Sequence, residues 1–560
     1  MSTDTPDVHG AHPRLTDEQV ELLAPSGERR PTAAGEVLFR EGEPHQEFLV
    51  VLSGLVDVVH DFGLPEEALV ATHGPGRFLG ELGLLEGLRA FYTAVVREAG
   101  EVLAVSVDHL REVIANDPAL GDQVLRAYLG RRTRLIGIGA GFRILGSHHS
   151  PQTGRLREFA ARNRLPHRLV DLESDDEAEA LLRRLGITPQ DTPVVIWDGR
   201  QVLRDPDTAD LARLVGLPTP SGSASVHDLL VVGSGPAGLA AAVYGASDGY
   251  STALIDAVAT GGQAARTSRI ENYLGFPSGI SGGELIERAV LQAHKFDADI
   301  LVPAEAQALR CEGDHYTAAL ADGTNAAGRT VVLTTGVRYR RLVVPGSEHF
   351  EGSSIHYAAT AHEARMCGQE PVAVVGGGNS AGQAAVFLAD NGSRVHIVAI
   401  DDSLEQNMSR YLIDQIKQRP GIEVHLKQEV AEVTGDDRIR QVRVRDLRTR
   451  HGSDLEVRAL FVFIGAHPCT DWLGKTLVLD DHGFIVTGSE PGDTADQGPW
   501  QQLEREPLPL ETNWPGIFAA GDVRSGSVKR VASAVGEGAM SVRLAHEHLA
   551  RTPTRATSTP

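Results

Sequence analysis

Cysteine is nearly absent from this chain. Of 560 residues only Cys311, Cys367 and Cys469 carry a thiol, none lies near another in sequence, and no Cys-x-x-Cys occurs. That excludes a disulfide framework and a zinc ribbon, and it fits a reducing compartment, so a cytoplasmic protein is expected. Positive charge is also short: Lys+Arg 53 against Asp+Glu 75 gives a formal net charge of −22. A nucleic-acid partner or an anionic membrane surface is therefore not expected. No apolar run approaches the roughly 18–20 residues of a membrane span. The first residues are acidic and polar, unlike a signal peptide.

What the chain does have is length and glycine. At this length about three to five domains are expected. Two glycine fingerprints organise the second half. The first is Asp228-Leu-Leu-Val-Val-Gly233-Ser234-Gly235-Pro236-Ala237-Gly238, followed by an alanine-rich helix and the strand ending at Asp256. The second is Val372-Ala-Val-Val-Gly376-Gly-Gly378-Asn379-Ser380-Ala381, followed by a helix and Arg394-Val-His-Ile-Val. Each reads as a buried strand, a glycine turn and a helix, closed by a second strand. The first glycine makes the turn, the second lets backbone approach a pyrophosphate, and the third position lets helix and strand pack closely. The helix N-terminus then faces the phosphates. Two such units, both correctly flanked, point to a flavin enzyme with two dinucleotide-binding domains.

The first ~130 residues read as β-rich, with short alternating strands punctuated by glycine and a helix from Asp108, as N-cap, through Tyr128. Strands then helix, with Phe78-Leu-Gly80-Glu81-Leu82 between, resembles a cyclic-nucleotide-binding domain. In that family the Gly-Glu-Leu turn caps the phosphate, the Glu accepts from the ribose hydroxyl, and a later Arg pairs the cyclic phosphate. Here Arg89 follows Glu81 by eight positions. If Thr93-Ala94 is aligned on the family's Ser/Thr-Ala step, Tyr92 takes the Arg position instead. A cyclic-nucleotide site at Gly80, Glu81, Leu82 and Arg89 and a scaffold without ligand both stand.

From Gly141 to Leu217 the order is βαβ…ββ, with Thr192-Pro193 entering a strand. This resembles a thioredoxin-type domain, in which that proline is cis. The loop after its first strand is Ser147-His148-His149-Ser150-Pro151 and has no thiol, so dithiol chemistry is excluded there. The adjacent histidines are read as an exposed polar loop rather than a metal site.

Residues 226–549 resemble a low-molecular-weight thioredoxin reductase over essentially its whole length. The motifs are Gly233–Gly238, Gly261-Gly262-Gln263, Ile270-Glu-Asn272-Tyr-Leu-Gly-Phe-Pro277, Thr334-Thr335-Gly336 before Val344-Pro-Gly346, Gly376–Ala381, and Phe518-Ala-Ala-Gly521-Asp522-Val523. The resemblance implies FAD, a nicotinamide nucleotide and a homodimer. It implies that Gly233, Ser234, Gly235, Pro236, Ala237 and Gly238 cradle the FAD pyrophosphate, with Asp256 on the adenosine ribose. Gly262, Gln263, Asn272, Thr335 and Gly336 would touch the cofactor. Gly521 and Asp522 would hold the ribityl chain, and Lys529, Arg530 and Val531 would line the isoalloxazine. Gly376, Gly378, Asn379, Ser380 and Ala381 would form the nicotinamide-nucleotide turn.

The expected fold is therefore multidomain: an α/β flavoprotein with two Rossmann-like dinucleotide-binding domains, preceded by a β-roll and a thioredoxin-like domain. Boundaries are placed at 1–135 (β-roll with C-terminal helix), 141–217 (thioredoxin-like), 218–225 (linker), 226–346 and 465–549 (FAD domain), 347–464 (NAD(P) domain) and 550–560 (disordered tail).

Two departures shape the functional expectation. The family's Cys-Ala-Thr-Cys falls on Tyr357-Ala358-Ala359-Thr360-Ala361-His362, so Ala358 and Ala361 occupy both cysteine positions and flavin-to-disulfide transfer is excluded. His362 and Cys367 are the remaining nearby candidates for proton or thiol chemistry. In the second unit, the 23-position offset from Gly233 to Asp256 lands on Ala399 when counted from Gly376, so no ribose-binding carboxylate is found there. Ile400 and Asp401 stand where arginines would hold the 2′-phosphate of NADPH, and Asp401 would repel it. NADH, or either nucleotide weakly, is expected, with Arg410 as the one basic candidate. The electrons are expected to reach a small-molecule or protein acceptor that is not an internal disulfide. The alternatives are a flavin-based or cyclic-nucleotide sensor, or a scaffold with bound FAD.

Overall fold

The computed structural model describes residues 4–551 except 9, 82–86, 174–181, 183–185, 189–190, 221–224, 268, 352, 360, 489–499 and 501–504. Leu82, most of the predicted helix at 175–185, half of the linker and the 552–560 tail thus lie outside the described residues.

The N-terminal unit is a six-stranded antiparallel roll built on two long strands, Glu47–His60 and Thr93–Ser106, paired along most of their length. Leu49, Val51, Val56 and Val58 pack into one core, and Phe48 and Val50, on the opposite face, are buried in a second core with Leu110, Leu120 and Val124. Two helices follow. Val107–Asn116 is capped by Ser106, not Asp108, and Asp117-Pro118 breaks it. Proline at the first helical position has no N–H to lose, and Asp117 accepts from the N–H groups of Ala119 and Leu120, so a second helix, Pro118–Ile138, starts there. It runs ten residues past the predicted end and stops at Gly139, in the left-handed conformation at φ 66°.

The next sheet has four strands in the order Gln201–Arg204, Val194–Trp197, Phe142–Gly146, His167–Asp171. Only the last pair is parallel. The Thr192–Pro193 bond is cis, and the helices Pro151–Arg162 and Thr208–Val215 flank the sheet.

Two larger sheets form the rest. A seven-stranded sheet contains the parallel core Asp299–Leu301, Thr252–Ile255, Val226–Val232, Asn325–Leu333 and Ile517–Ala519, extended by an antiparallel hairpin. A five-stranded parallel sheet runs Ile355–His356, Ala459–Val462, Val372–Val375, Val395–Ala399, Ile422–Leu426. The central strands are apolar on both faces because helices cover both sides. The chain leaves and re-enters the first sheet through the pair Val337–Tyr339 and Ala466–Pro468. The C-terminal helix Val531–Arg551 lies against Pro236–Ser247. At Gly538 the approach is so close that any Cβ would collide with the Ala237 carbonyl. Among the described residues no helix is long and apolar enough to cross a membrane.

The first three units are joined by buried polar contacts. Arg132 on the helix Pro118–Ile138 pairs with Glu287 at 3.4 Å and donates to the carbonyls of Asn163 and Arg164. Arg164 reaches Glu287 at 2.8 Å. Trp197 Nε1 donates to the buried Glu41 of the roll at 3.2 Å.

Candidate functional site

The strand Val226–Val232 ends in Gly233, whose φ of 104° no side chain readily adopts. Gly235 caps the helix Pro236–Ser247, and a Cβ there would meet nothing within 4 Å. A Cβ on Gly238 would collide with the Gly233 carbonyl. The three glycines therefore serve three needs: a left-handed turn, an open approach, and close packing.

Ser234, fully buried, donates its N–H and hydroxyl to Asp256 Oδ2 at 2.9 and 2.8 Å. The N–H groups of Val258 and Ala259 donate to Asp256 Oδ1 at 3.0 and 3.1 Å. A carboxylate has about four acceptor positions, so protein donors take all of those on Asp256. Asp256 thus braces the turn.

The rest of the cradle comes from distant segments. Gly262, at φ 54°, brings its Cβ direction to 3.1 Å from Gly235 Cα. Gln263 donates to the Val337 carbonyl at 3.2 Å, while its buried Oε1 has no partner among the described residues. Thr335 donates to the Cys469 carbonyl and Gly336 accepts from the Cys469 N–H, both at 2.9 Å. Gly521 gives its N–H to Glu537 and sets Asp522 near the helix start, where burial pushes the half-buried carboxyl up. Asn272 lies exposed on the loop closed by the Ile270–Ile280 bridge.

Two of the residues expected at the flavin have partners within the chain. Lys529 Nζ bonds the Asp522 carbonyl at 2.6 Å and lies 4.4 Å from the Phe484 ring centre. Arg530 crosses to Ser409 Oγ at 3.0 Å, and Val531 begins the C-terminal helix. The open position at Gly235, the helix N-terminus beside it and the unpartnered Gln263 oxygen fit the phosphates and polar edge of a dinucleotide.

The second turn repeats the pattern. Gly376 has φ 136°, Gly378 caps the helix Asn379–Asp390, and Ala381 is buried. Asn379 accepts from the Ser409 N–H at 2.7 Å. A Cβ on Gly377 would collide with the Asp401 carboxylate, which also accepts from Asn407 at 2.9 Å. The count from Gly376 missed this group. The strand Val395–Ala399 ends at the counted position, and the carboxylate stands two residues further on. Arg410 turns away and pairs with Asp414 at 3.1 Å. The two units are bridged by Arg530–Ser409, by Gln415 Nε2 to Glu271 at 3.0 Å, and by the Tyr339 phenol at Ser380. Sequence reading missed Tyr339, whose only signal is its place three residues after Gly336.

Ala358 is buried, and the helix Ala361–Cys367 follows. The Cys367 thiol packs among Ala364, Val372 and Leu388, and burial pushes it up to about 11. The side chain of His362 lies outside the described residues.

In the roll, Glu81 is fully buried and accepts from Arg131 Nη1 at 2.7 Å. Tyr92 is buried too and its hydroxyl accepts from the Gly80 N–H at 3.2 Å. Arg89 donates to the Gly42 carbonyl at 3.0 Å. A cavity of about 20 Å³ remains between His12, His73, Tyr92, Arg131 and Arg134, about the room one water needs. Elsewhere, His148, His149 and Glu173 come together on the surface loop, where Asp171 meets His148 Nδ1 at 2.7 Å.

Residues 227–538 match the family described as pyridine nucleotide-disulphide oxidoreductase, and residues 29–117 match the cyclic nucleotide-binding domain. The thioredoxin reductase of Mycolicibacterium smegmatis is 31% identical over 318 residues, 57% of this chain and 95% of that protein. An alkyl hydroperoxide reductase component of Pseudomonas putida is 33% identical over 328 residues, 58% of this chain, but the match spans only 58% of its own length. Among solved structures, the thioredoxin reductase of Lactococcus lactis aligns with a TM-score of 0.52 at 26% identity, covering 58% of this chain and 99% of that one.

Proposed function

Because the chain belongs to the pyridine nucleotide-disulphide oxidoreductase family, with a cyclic nucleotide-binding domain ahead of that unit, we propose that it oxidises NADH, or NADPH less well, and passes the electrons through FAD to an acceptor other than an internal disulfide. The observation that carries this reading is the pair of glycine turns with alanine at both thiol positions, Ala358 and Ala361. Bound FAD would accept a hydride from the nicotinamide and release electrons to a second substrate.

The chain's own residues supply binding and orientation. Asp256 holds Ser234 and the 258–259 loop, so the Gly235 opening keeps its shape. Asp401, beside Gly377, is placed to accept from a 2′-hydroxyl and to repel a 2′-phosphate. Arg530, Gln415 and Tyr339 hold the two units at one separation. Cys367, buried and with a raised pKa, supports no thiol route. The roll is read as the family's nucleotide module in a closed state. Glu81 is held by Arg131, and Tyr92 takes the place of the phosphate-binding cation, so a cyclic nucleotide would need both to move.

The test is steady-state oxidation of NADH with a one-electron dye as acceptor, beside thioredoxin with insulin. Turnover with dye and none with thioredoxin supports the reading. Thioredoxin reduction that survives Cys367→Ala contradicts it.

A further inference from the structure

The strand pair joining the two units, Val337–Tyr339 and Ala466–Pro468, borders a cavity of about 380 Å³, within the size range of small-ligand sites. Three arginines line it on a chain of net charge −22, Arg338, Arg340 and Arg341, beside His467 and His482, with one acid, Asp471. Asp471 pairs with Arg338 at 2.8 Å. Arg340 and Arg341 have no ion-pair partner among the described residues, and both are exposed. A concave cluster of unpaired guanidiniums on an acidic protein concentrates anions locally. It also offers paired donors that match carboxylate, sulfonate or phosphate oxygens.

The cavity is separate from both glycine turns but adjoins them. Tyr339 forms part of its wall and also meets Ser380 of the second turn, and Val337, at the other end of that strand, accepts from Gln263 of the cradle. Cys469, next to the cavity residue Pro468, bonds Thr335 and Gly336.

We propose that this cavity binds a small organic dianion. The proposal rests on the flavin-reductase reading only for what the dianion does there: it is either the electron acceptor or an effector of transfer to another acceptor. As acceptor, a quinone would take two electrons and two protons to become a hydroquinone. NADH supplies the hydride and water the second proton.

Binding is measured on oxidised holoprotein without nucleotide, so it stands apart from whether NADH reduces the flavin. The probes are anthraquinone-2,6-disulfonate, its redox-inert counterpart naphthalene-2,6-disulfonate, and the neutral quinone menadione, followed by calorimetry. Both disulfonates should bind, and Arg340→Gln with Arg341→Gln should weaken both at least about tenfold. Menadione should be unaffected by the substitutions. His482→Gln, a single exposed change, should weaken the disulfonates less and in the same direction. With NADH-reduced holoprotein, reoxidation by anthraquinone disulfonate that saturates at the binding constant assigns the acceptor role. A changed rate toward menadione with only the naphthalene compound present assigns the effector role. No disulfonate binding at about 1 mM, equal binding by the double variant, or competitive displacement by NADH would each overturn the proposal.

Discussion

Arg131 and Arg132, consecutive on the helix Pro118–Ile138, reach into different domains: Arg131 bonds Glu81 inside the roll at 2.7 Å, and Arg132 pairs with Glu287 of the flavoprotein unit at 3.4 Å. From Arg132 the contacts run on. Its guanidinium holds the Asn163 carbonyl, and the Asn163 amide donates to Val258 at 3.0 Å. Val258 donates to Asp256, which holds Ser234 of the first turn. One helix of the N-terminal roll is thus tied by hydrogen bonds to the phosphate cradle.

Glu287 sits between Arg132 and Arg164 and is 4% exposed. Glu287→Gln leaves the buried Arg132 and the partly exposed Arg164 facing a neutral amide. Removing one partner of a buried pair typically costs about 3–5 kcal/mol. Urea unfolding should lose stability of that order, and an unchanged midpoint would show that the junction does not hold the units together.

Asn163→Ala removes a side-chain bond from the four-stranded unit to the 258 loop. A hydrogen bond contributes about 1 kcal/mol net, so FAD retention should fall severalfold. Asp256→Asn should be worse, because an amide NH2 then faces N–H or O–H donors at one of the two sites. Flavin fluorescence after ultrafiltration measures both, and equal retention in the two variants would contradict the bracing role.

The proposed preference for NADH rests on Asp401 beside Gly377. Half-saturation for NADH should be at or below that for NADPH. Ile400→Arg with Asp401→Arg should shift preference toward NADPH by about one to two decades, the effect of a charge-paired phosphate contact. A wild-type preference for NADPH above about a hundredfold would mean that another cation binds the phosphate.

His12 is buried, and burial together with the Arg131 charge lowers its pKa to about 4; His73 is shifted the same way. A histidine with a depressed folded pKa takes up its proton more readily when unfolded. The roll's stability is therefore fully present above the unfolded value near 6.5 and falls as pH drops toward about 4, by about 1.4 kcal/mol per unit for one such group. His12→Gln should flatten that dependence in thermal melts between these pH values. An unaltered slope would place the titration elsewhere.

The two glycine turns were legible because each glycine answers a local steric need that only that residue meets. Partners set by tertiary placement were not. The place of Asp256 at the strand end was visible, while its bonds to Ser234 and the 258–259 loop were not. The two units share one register, Val232 opposite Ile255 and Val375 opposite Val398, so the count from Gly376 reached Ala399, the equivalent of Asp256, while Asp401, known from sequence only as a group opposing a 2′-phosphate, meets Gly377 from the loop two residues on. The helix predicted as one element from Asp108 to Tyr128 is two, broken by Asp117-Pro118, and Arg131, which holds Glu81, lies beyond its predicted end. The roll was recognised from its strands and Gly80-Glu81, but its closed pocket depends on a side chain 50 positions away from Glu81.

The central claim is that electrons stop at the flavin until an external acceptor arrives, because no disulfide stands between. Anaerobic titration of the yellow holoprotein with NADH tests it most directly. One equivalent of NADH per FAD should bleach the flavin fully, and further NADH should not be consumed. Uptake of a second two-electron equivalent, or a flavin that no nicotinamide nucleotide bleaches, would contradict it.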